Sequence, residues 1–158
     1  FMAERLDACS MLPVIEAAEG MPVLPGQVMV APGGMHLFLQ ERRKAPAVML
    51  LARNRFQRTA CPSVDFAMTS FSSLFGERMT AVVLTGMGKD GVSGCRAVRA
   101  AGGGVICQNR ETSMIFGMPG AVVASGIRCE LLPLPEIARA VTRSVNGAAA
   151  REACDEGR

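Results

Sequence analysis

The chain has no tryptophan, no tyrosine and a single histidine, His36. Any imidazole base supplied from within these 158 residues must therefore be His36. Six cysteines stand at positions 9, 61, 95, 107, 129 and 154 with no close pair among them. Structural zinc sites bring ligands about two to four residues apart, so this spacing argues against one. No apolar run approaches the roughly 20 residues of a membrane span, and no charged segment followed by an apolar one opens the chain as a secretory signal. The densest basic run, "ERRKA" at 41–45, has no aromatic residue interleaved, which fits a solvated turn and not a nucleic-acid stripe. There is no G-x-S-x-G elbow and no P-loop spacing.

What is present reads as a globular domain with a real core: 49% of residues are hydrophobic and 20% charged, with a net charge of +3. Cys95, Cys107 and Cys129 lie in apolar surroundings and read as small core residues, a usage that fits a reducing, cytoplasmic compartment. The first third is rich in proline and glycine. Its short apolar bursts at 27–31, 36–40 and 47–52 predict strands joined by turns, as hairpins. Residues 1–6 read as the end of a helix. From 61 to 77 the period changes. Val64, Met68, Phe71, Leu74 and Phe75 recur at three and four, predicting an amphipathic helix with Pro62 in its first turn and Gly76 at its end.

Beyond it, strand (80–85), helix (90–101), strand (104–108), helix (118–126), strand (129–133) and helix (134–145) alternate. That alternation predicts right-handed βαβ units in a parallel sheet. The fold class is thus α/β: a doubly wound, mostly parallel sheet with a small antiparallel hairpin portion. The tail, 146–158, is small and polar and is expected to fray.

Ligands of such sheets bind beyond the carboxyl ends of the strands. Two loops there carry chemistry. In "TGMGKDG" (85–91), Gly86 and Gly88 allow a sharp turn that can aim amide N–H groups into a cleft, and Asp90 stands where a helix begins. Asp90 reads either as that helix's N-cap or as a working carboxylate. In "QNRETSMIFGMPG" (108–120), Gln108, Asn109 and Glu111 suit polar substrate contacts and equally suit ordinary loop chemistry. His36 lies at a turn before a strand. No serine occupies a glycine-flanked strand-to-helix turn with a partner base, so these residues alone compose no complete catalytic triad.

Read in order, "PGQVMVAPGGMHL", "PSVDFAM", "VVLTGMGKDGVSG" and "AAGGGVICQNRETSMIFGMPGAV" resemble the chemotaxis protein-glutamate methylesterase family, the CheB-type catalytic domain. The resemblance covers about residues 1–142. It implies a cytoplasmic serine hydrolase without metal or organic cofactor. Its substrates would be glutamate methyl esters, and certain glutamines, on the cytoplasmic helices of methyl-accepting chemoreceptors, with no nucleic acid and no membrane insertion involved.

By this resemblance Asp90 orients the catalytic histidine and the Met87 backbone N–H is an oxyanion donor. The family's serine and histidine fall upstream of Phe1, and many members carry a receiver domain ahead of them. Residues 1–145 would then be the C-terminal part of the catalytic domain, inactive alone and with an incomplete sheet edge. His36 matches a family histidine outside the triad. The chain departs from the pattern at Ala60 and Cys61, where the family often has His-Arg, and at Gly120, where a basic residue is common. Two rivals remain open: a non-catalytic receptor-binding relative, and a small phosphate- or nucleotide-binding α/β domain using the glycine loop.

Overall fold

A computed structural model describes residues 1–53 and 60–155, with side chains described through Gly147. In chain order the elements are α1 (Met2–Asp7), β1 (Val14–Glu16), β2 (Val28–Val30), β3 (Met35–Arg42), β4 (Ala45–Arg53), α2 (Val64–Phe75), β5 (Thr80–Val83), α3 (Val92–Ala100), β6 (Gly104–Gln108), α4 (Met118–Ala124), β7 (Glu130–Leu132) and α5 (Leu134–Asp155).

The parallel sheet runs β5-β6-β7, with Thr80 opposite Gly104 and Ile106 opposite Glu130. Alternate strand residues face opposite ways. Ala81, Val83, Val105 and Cys107 turn to one face and pack with Cys95 and Val98 of α3 and Val122 of α4. Val82 and Ile106 turn to the other and pack with Ile137 and Ala140 of α5. Both faces are thus covered, as continuous apolar strands require. The sheet order follows the sequence with no reversal, so α5 supplies the second layer. That helix continues to Asp155, through most of the stretch expected to fray; residues 156–158 lie outside the described residues.

The first third departs from the expected chain of hairpins. β3 and β4 do form one, closed at the exposed Arg43 and Lys44. β1 and β2, however, pair in parallel, Val14 opposite Val28. The reason is the connection between them. Gly20 and Val23 donate backbone N–H bonds to Met49 and Ala47 of β4 at 2.9 and 2.8 Å, and Met49 donates to Met21 at 2.9 Å. The segment spends its length lying along the β4 edge and returns the chain to the end where β1 began. Parallel strands need such a crossover and cannot be joined by a tight turn.

α2 lies across β3 and joins the two halves. Leu39 N–H donates to Ser70 Oγ at 2.8 Å, and Ser63 N–H donates to His36 Nδ1 at 3.2 Å. Three residues of strand and seven of helix both span about 10 Å, so the two bonds fix one register. Phe66 stands over the same strand face, edge-on to His36 and stacked on Phe38, with centroids at 4.9 and 6.0 Å. Pro62, expected in the first turn, precedes the helix, whose N-cap is Ser63. Gly76 ends it at φ 54° as expected.

The opposite side of α2 crosses α3 at Gly94. A Cβ there would lie 2.6 Å from Met68 Cβ and 3.2 Å from Asp65 Cα, neither of which is a yielding side-chain tip. Gly94→Ala should therefore lower unfolding stability by about 1–3 kcal/mol in chemical denaturation, despite alanine's better helix propensity.

Cys95 and Cys107 are fully buried. Burial pushes both thiols up, Cys95 to about 11 with the Asp65 and Cys129 charges adding to it, and Cys107 further with Cys129 beside it. Unfolding returns Cys95 to its ordinary 9.0, so the unfolded chain releases a proton between those values. Stability should fall as pH rises from 9.0 toward 11, and thermal melts should show a shallower fall across that window for Cys95→Ala.

Candidate active site

The loop after β5 and the loop after β6, separate in the sequence, are one ridge. Gly86 N–H donates to Ile115 O at 3.0 Å, and Gly86 O accepts from Gly117 and Met118 N–H at 3.1 and 2.8 Å. The approach is so close that a Cβ on Gly117 would stand 2.6 Å from Gly86 O. Gly86 therefore aims no amide into a cleft; its N–H and C=O hold the second loop. Gly88 does turn the backbone, at φ +105°. Between them Met87 is 83% exposed, and among the described residues its N–H has no acceptor.

Gln108 is buried beneath this ridge at 1% exposure. Its Oε1 accepts from Thr85 N–H at 2.8 Å, and its Nε2 donates to Thr112 O at 2.8 Å and Thr112 Oγ1 at 3.3 Å. Asn109 Oδ1 accepts from Thr112 N–H and Oγ1 at 3.2 and 2.7 Å and closes a local turn. Glu111 is exposed on that turn. None of the three lines the cleft described next. Gln108 and Asn109 are spent on shaping the loop, since a buried amide left unpaired is costly.

Asp90 is not the N-cap of its own helix. That cap is Gly91, and α3 starts at Val92. The Asp90 carboxylate crosses instead to the start of α2. Oδ1 accepts from Ser63 Oγ at 3.0 Å and Asp65 N–H at 3.1 Å; Oδ2 accepts from Val64 N–H at 2.8 Å. Asp65 makes the return journey, its Oδ1 accepting from Gly91 N–H at 2.9 Å and Gly94 N–H at 2.7 Å. Each helix start leaves N–H groups without intrahelical partners, and here each is served by the aspartate of the other. Ser63 adds the local cap, accepting from Phe66 N–H at 3.4 Å. Ser63 was findable from the sequence as a serine just before an apolar-periodic run. That Asp65 serves a different helix was not, because the partner lies 26 residues away.

An open cleft of about 860 Å³ flanks the half-buried Asp90. Its walls are the start of α2 (Ser63, Asp65, Phe66), the loop at Met87, Gly88 and Lys89, and the end of α4 (Ala124, Ser125). Every group on Asp90 is a donor, which fits an acceptor-only carboxylate, and Oδ2 takes one donor where it has room for two. His36 is not the missing neighbour. It is buried, and its Nδ1 is occupied by the Ser63 amide. Among the described residues no three His, Cys, Asp or Glu side chains converge as metal ligands. With the Gly86 amide committed to Ile115, that glycine contributes no N–H to a phosphate cradle.

Comparison with known proteins bears on this cleft. The chain is 40% identical over 147 residues to the protein-glutamate methylesterase/protein-glutamine glutaminase of Moorella thermoacetica, covering 93% of this chain and 35% of that protein. It is 41% identical over 139 residues to protein-glutamate methylesterase/protein-glutamine glutaminase 1 of Myxococcus xanthus, covering 88% and 40%. The chain thus spans well under half the length of these relatives. Its fold matches the crystal structure of the Thermotoga maritima CheB methylesterase catalytic domain with a TM-score of 0.83 at 36% identity, over 92% of this chain and 75% of that one. The CheB methylesterase model matches residues 1–141, and the chain belongs to that family.

Proposed function

We propose that this chain is the larger, C-terminal part of a protein-glutamate methylesterase/glutaminase catalytic unit, acting on methylated glutamates and on glutamines of chemoreceptor helices in chemotaxis signalling. The observation that carries the reading is Asp90. A carboxylate is fixed by three donors on the wall of a cleft, with acceptor capacity left on Oδ2. In that role Oδ2 takes the N–H of a histidine from outside these 158 residues, holds its tautomer and stabilises the imidazolium formed when a serine attacks the ester. In this reading the Met87 N–H, which has no acceptor among the described residues, donates to the oxyanion. The relatives' names support the substrate class. A receiver domain ahead of the catalytic unit and a cytoplasmic location belong to the same reading.

The two exchanged aspartates provide an internal control, tested in a protein that carries this chain together with the serine and histidine. Asparagine at position 90 sets an amide NH₂ against one of three donors, so Asp90→Asn should cost about 1–3 kcal/mol of stability. It should also lower methyl-ester turnover by about 10⁴-fold, as loss of the orienting aspartate does in other triads. Asp65→Asn keeps its Oδ1 for both donors, so it should cost less stability, about 1 kcal/mol or below through lost charge assistance, and leave turnover near that of the parent at a temperature where both are folded. Near-normal hydrolysis in Asp90→Asn would refute the assignment.

The 158-residue chain by itself has one imidazole, and that imidazole is buried. It should release no methanol above background from methylated receptor, because no base is available to a nucleophile. Release that survives purification and is lost in Asp90→Asn would show that the chain is sufficient.

A further inference from the structure

We propose that His36 is a positioning residue for Asp90, acting through Ser63. The inference rests on the reading of Asp90 as a working carboxylate, and it concerns what holds that carboxylate in place.

All three donors to Asp90 come from consecutive residues, Ser63, Val64 and Asp65. The geometry of Asp90 is therefore only as fixed as this one turn. From the hairpin side, the turn is held by His36. Its Nδ1 accepts the Ser63 N–H at 3.2 Å, while the Ser63 hydroxyl donates onward to Asp90 Oδ1 at 3.0 Å. A nitrogen that accepts carries no proton, so the imidazole is the neutral tautomer with its proton on Nε2. The first link is out of water, with His36 3% and Ser63 5% exposed, and the second reaches the cleft wall at the half-buried Asp90. The ring is also fixed, by the β3–β4 pairing of His36 with Ala52 and by Phe66 standing edge-on at 4.9 Å.

The cost of the histidine shows what it supplies. Among the described residues its buried Nε2 has no hydrogen-bond partner. A leucine would fill the same wall without that cost. What leucine would not supply is an acceptor for Ser63 N–H, and with it the fixed start of α2. Groups that must hold a reacting site to within a fraction of an ångström are themselves locked by a surrounding layer of packing and hydrogen bonds. His36 is that layer for Asp90, and Ser63 is the connection between them.

The test uses NMR on this chain, with no substrate, so its outcome is independent of ester hydrolysis. The Ser63 amide should show a through-hydrogen-bond ¹⁵N–¹⁵N coupling to His36 Nδ1, and Nδ1 should resonate as the unprotonated ring nitrogen. In His36→Leu, hydrogen exchange at the Val64 and Asp65 amides should rise about tenfold, the ratio that corresponds to one net hydrogen bond. Exchange at the core amides of Val98 and Cys107 should stay unchanged. In His36→Asn, whose Oδ1 can take the place of Nδ1, protection at Val64 and Asp65 should return. A missing coupling, a protonated Nδ1, unchanged exchange in His36→Leu, or an equal rise at all amides would each overturn the proposal. Should His36→Leu fail to fold, the coupling in the parent chain and the exchange in His36→Asn decide it on the same terms.

Discussion

Two aspartates, Asp65 and Asp90, change places between two helix starts. Each leaves its own chain segment and accepts the N–H groups of the other's. The bonds cross at the point where α2 and α3 come closest, over Gly94. Charge-assisted bonds of this kind are roughly twice as strong as neutral ones, and they act where the helix ends carry partial positive charge. The exchange joins the hairpin half of the molecule to the parallel-sheet half at one place, and the cleft lies at that place. The capping role and the catalytic role proposed for Asp90 are compatible, because three donors leave Oδ2 able to accept one more.

The floor of the site is set from the other side by Gly86. Its two backbone bonds to the 115–118 stretch make a single ridge of two loops, with Gln108 plugged beneath it. A ridge tied down on both flanks can leave the Met87 amide without an acceptor among the described residues. A mobile loop would turn that N–H to solvent or back on itself. The same economy explains why Gln108 and Asn109 turn their amide groups to the loop itself. They satisfy the backbone of a tight connection, which otherwise would bury unpaired groups.

Much of the fold was legible. The βαβ alternation over 80–145 shows in the pattern because strands buried on both faces must be apolar throughout, and β6 falls at 104–108 as expected. The amphipathic period of α2 fixed its existence, and Gly76 fixed its end. The N-terminal third was legible only in part. Val14–Glu16 and Val28–Val30 are three residues long, too short for a period, and their parallel pairing is imposed by contacts of the connecting segment with β4. α5 continues into the stretch expected to fray, which holds Ala148, Ala149, Ala150 and Ala153, and alanine is the best helix former.

The site divides along the same line. The sequence by itself determined the family resemblance, the presence of an aspartate on a glycine-flanked loop at a strand end, and the lack of a second imidazole within 158 residues. These depend on residue identity and local order. Only the tertiary structure decided what each group is bonded to: that Asp90 serves α2 and not α3, that Gly86 and Gln108 are framework, and that His36 reaches Ser63. Each of these bonds joins residues more than 20 positions apart. A hydrogen bond selects its partner by distance and direction, and neither is encoded in local pattern. They exist only once packing across Gly94 and along β3 has brought the segments together.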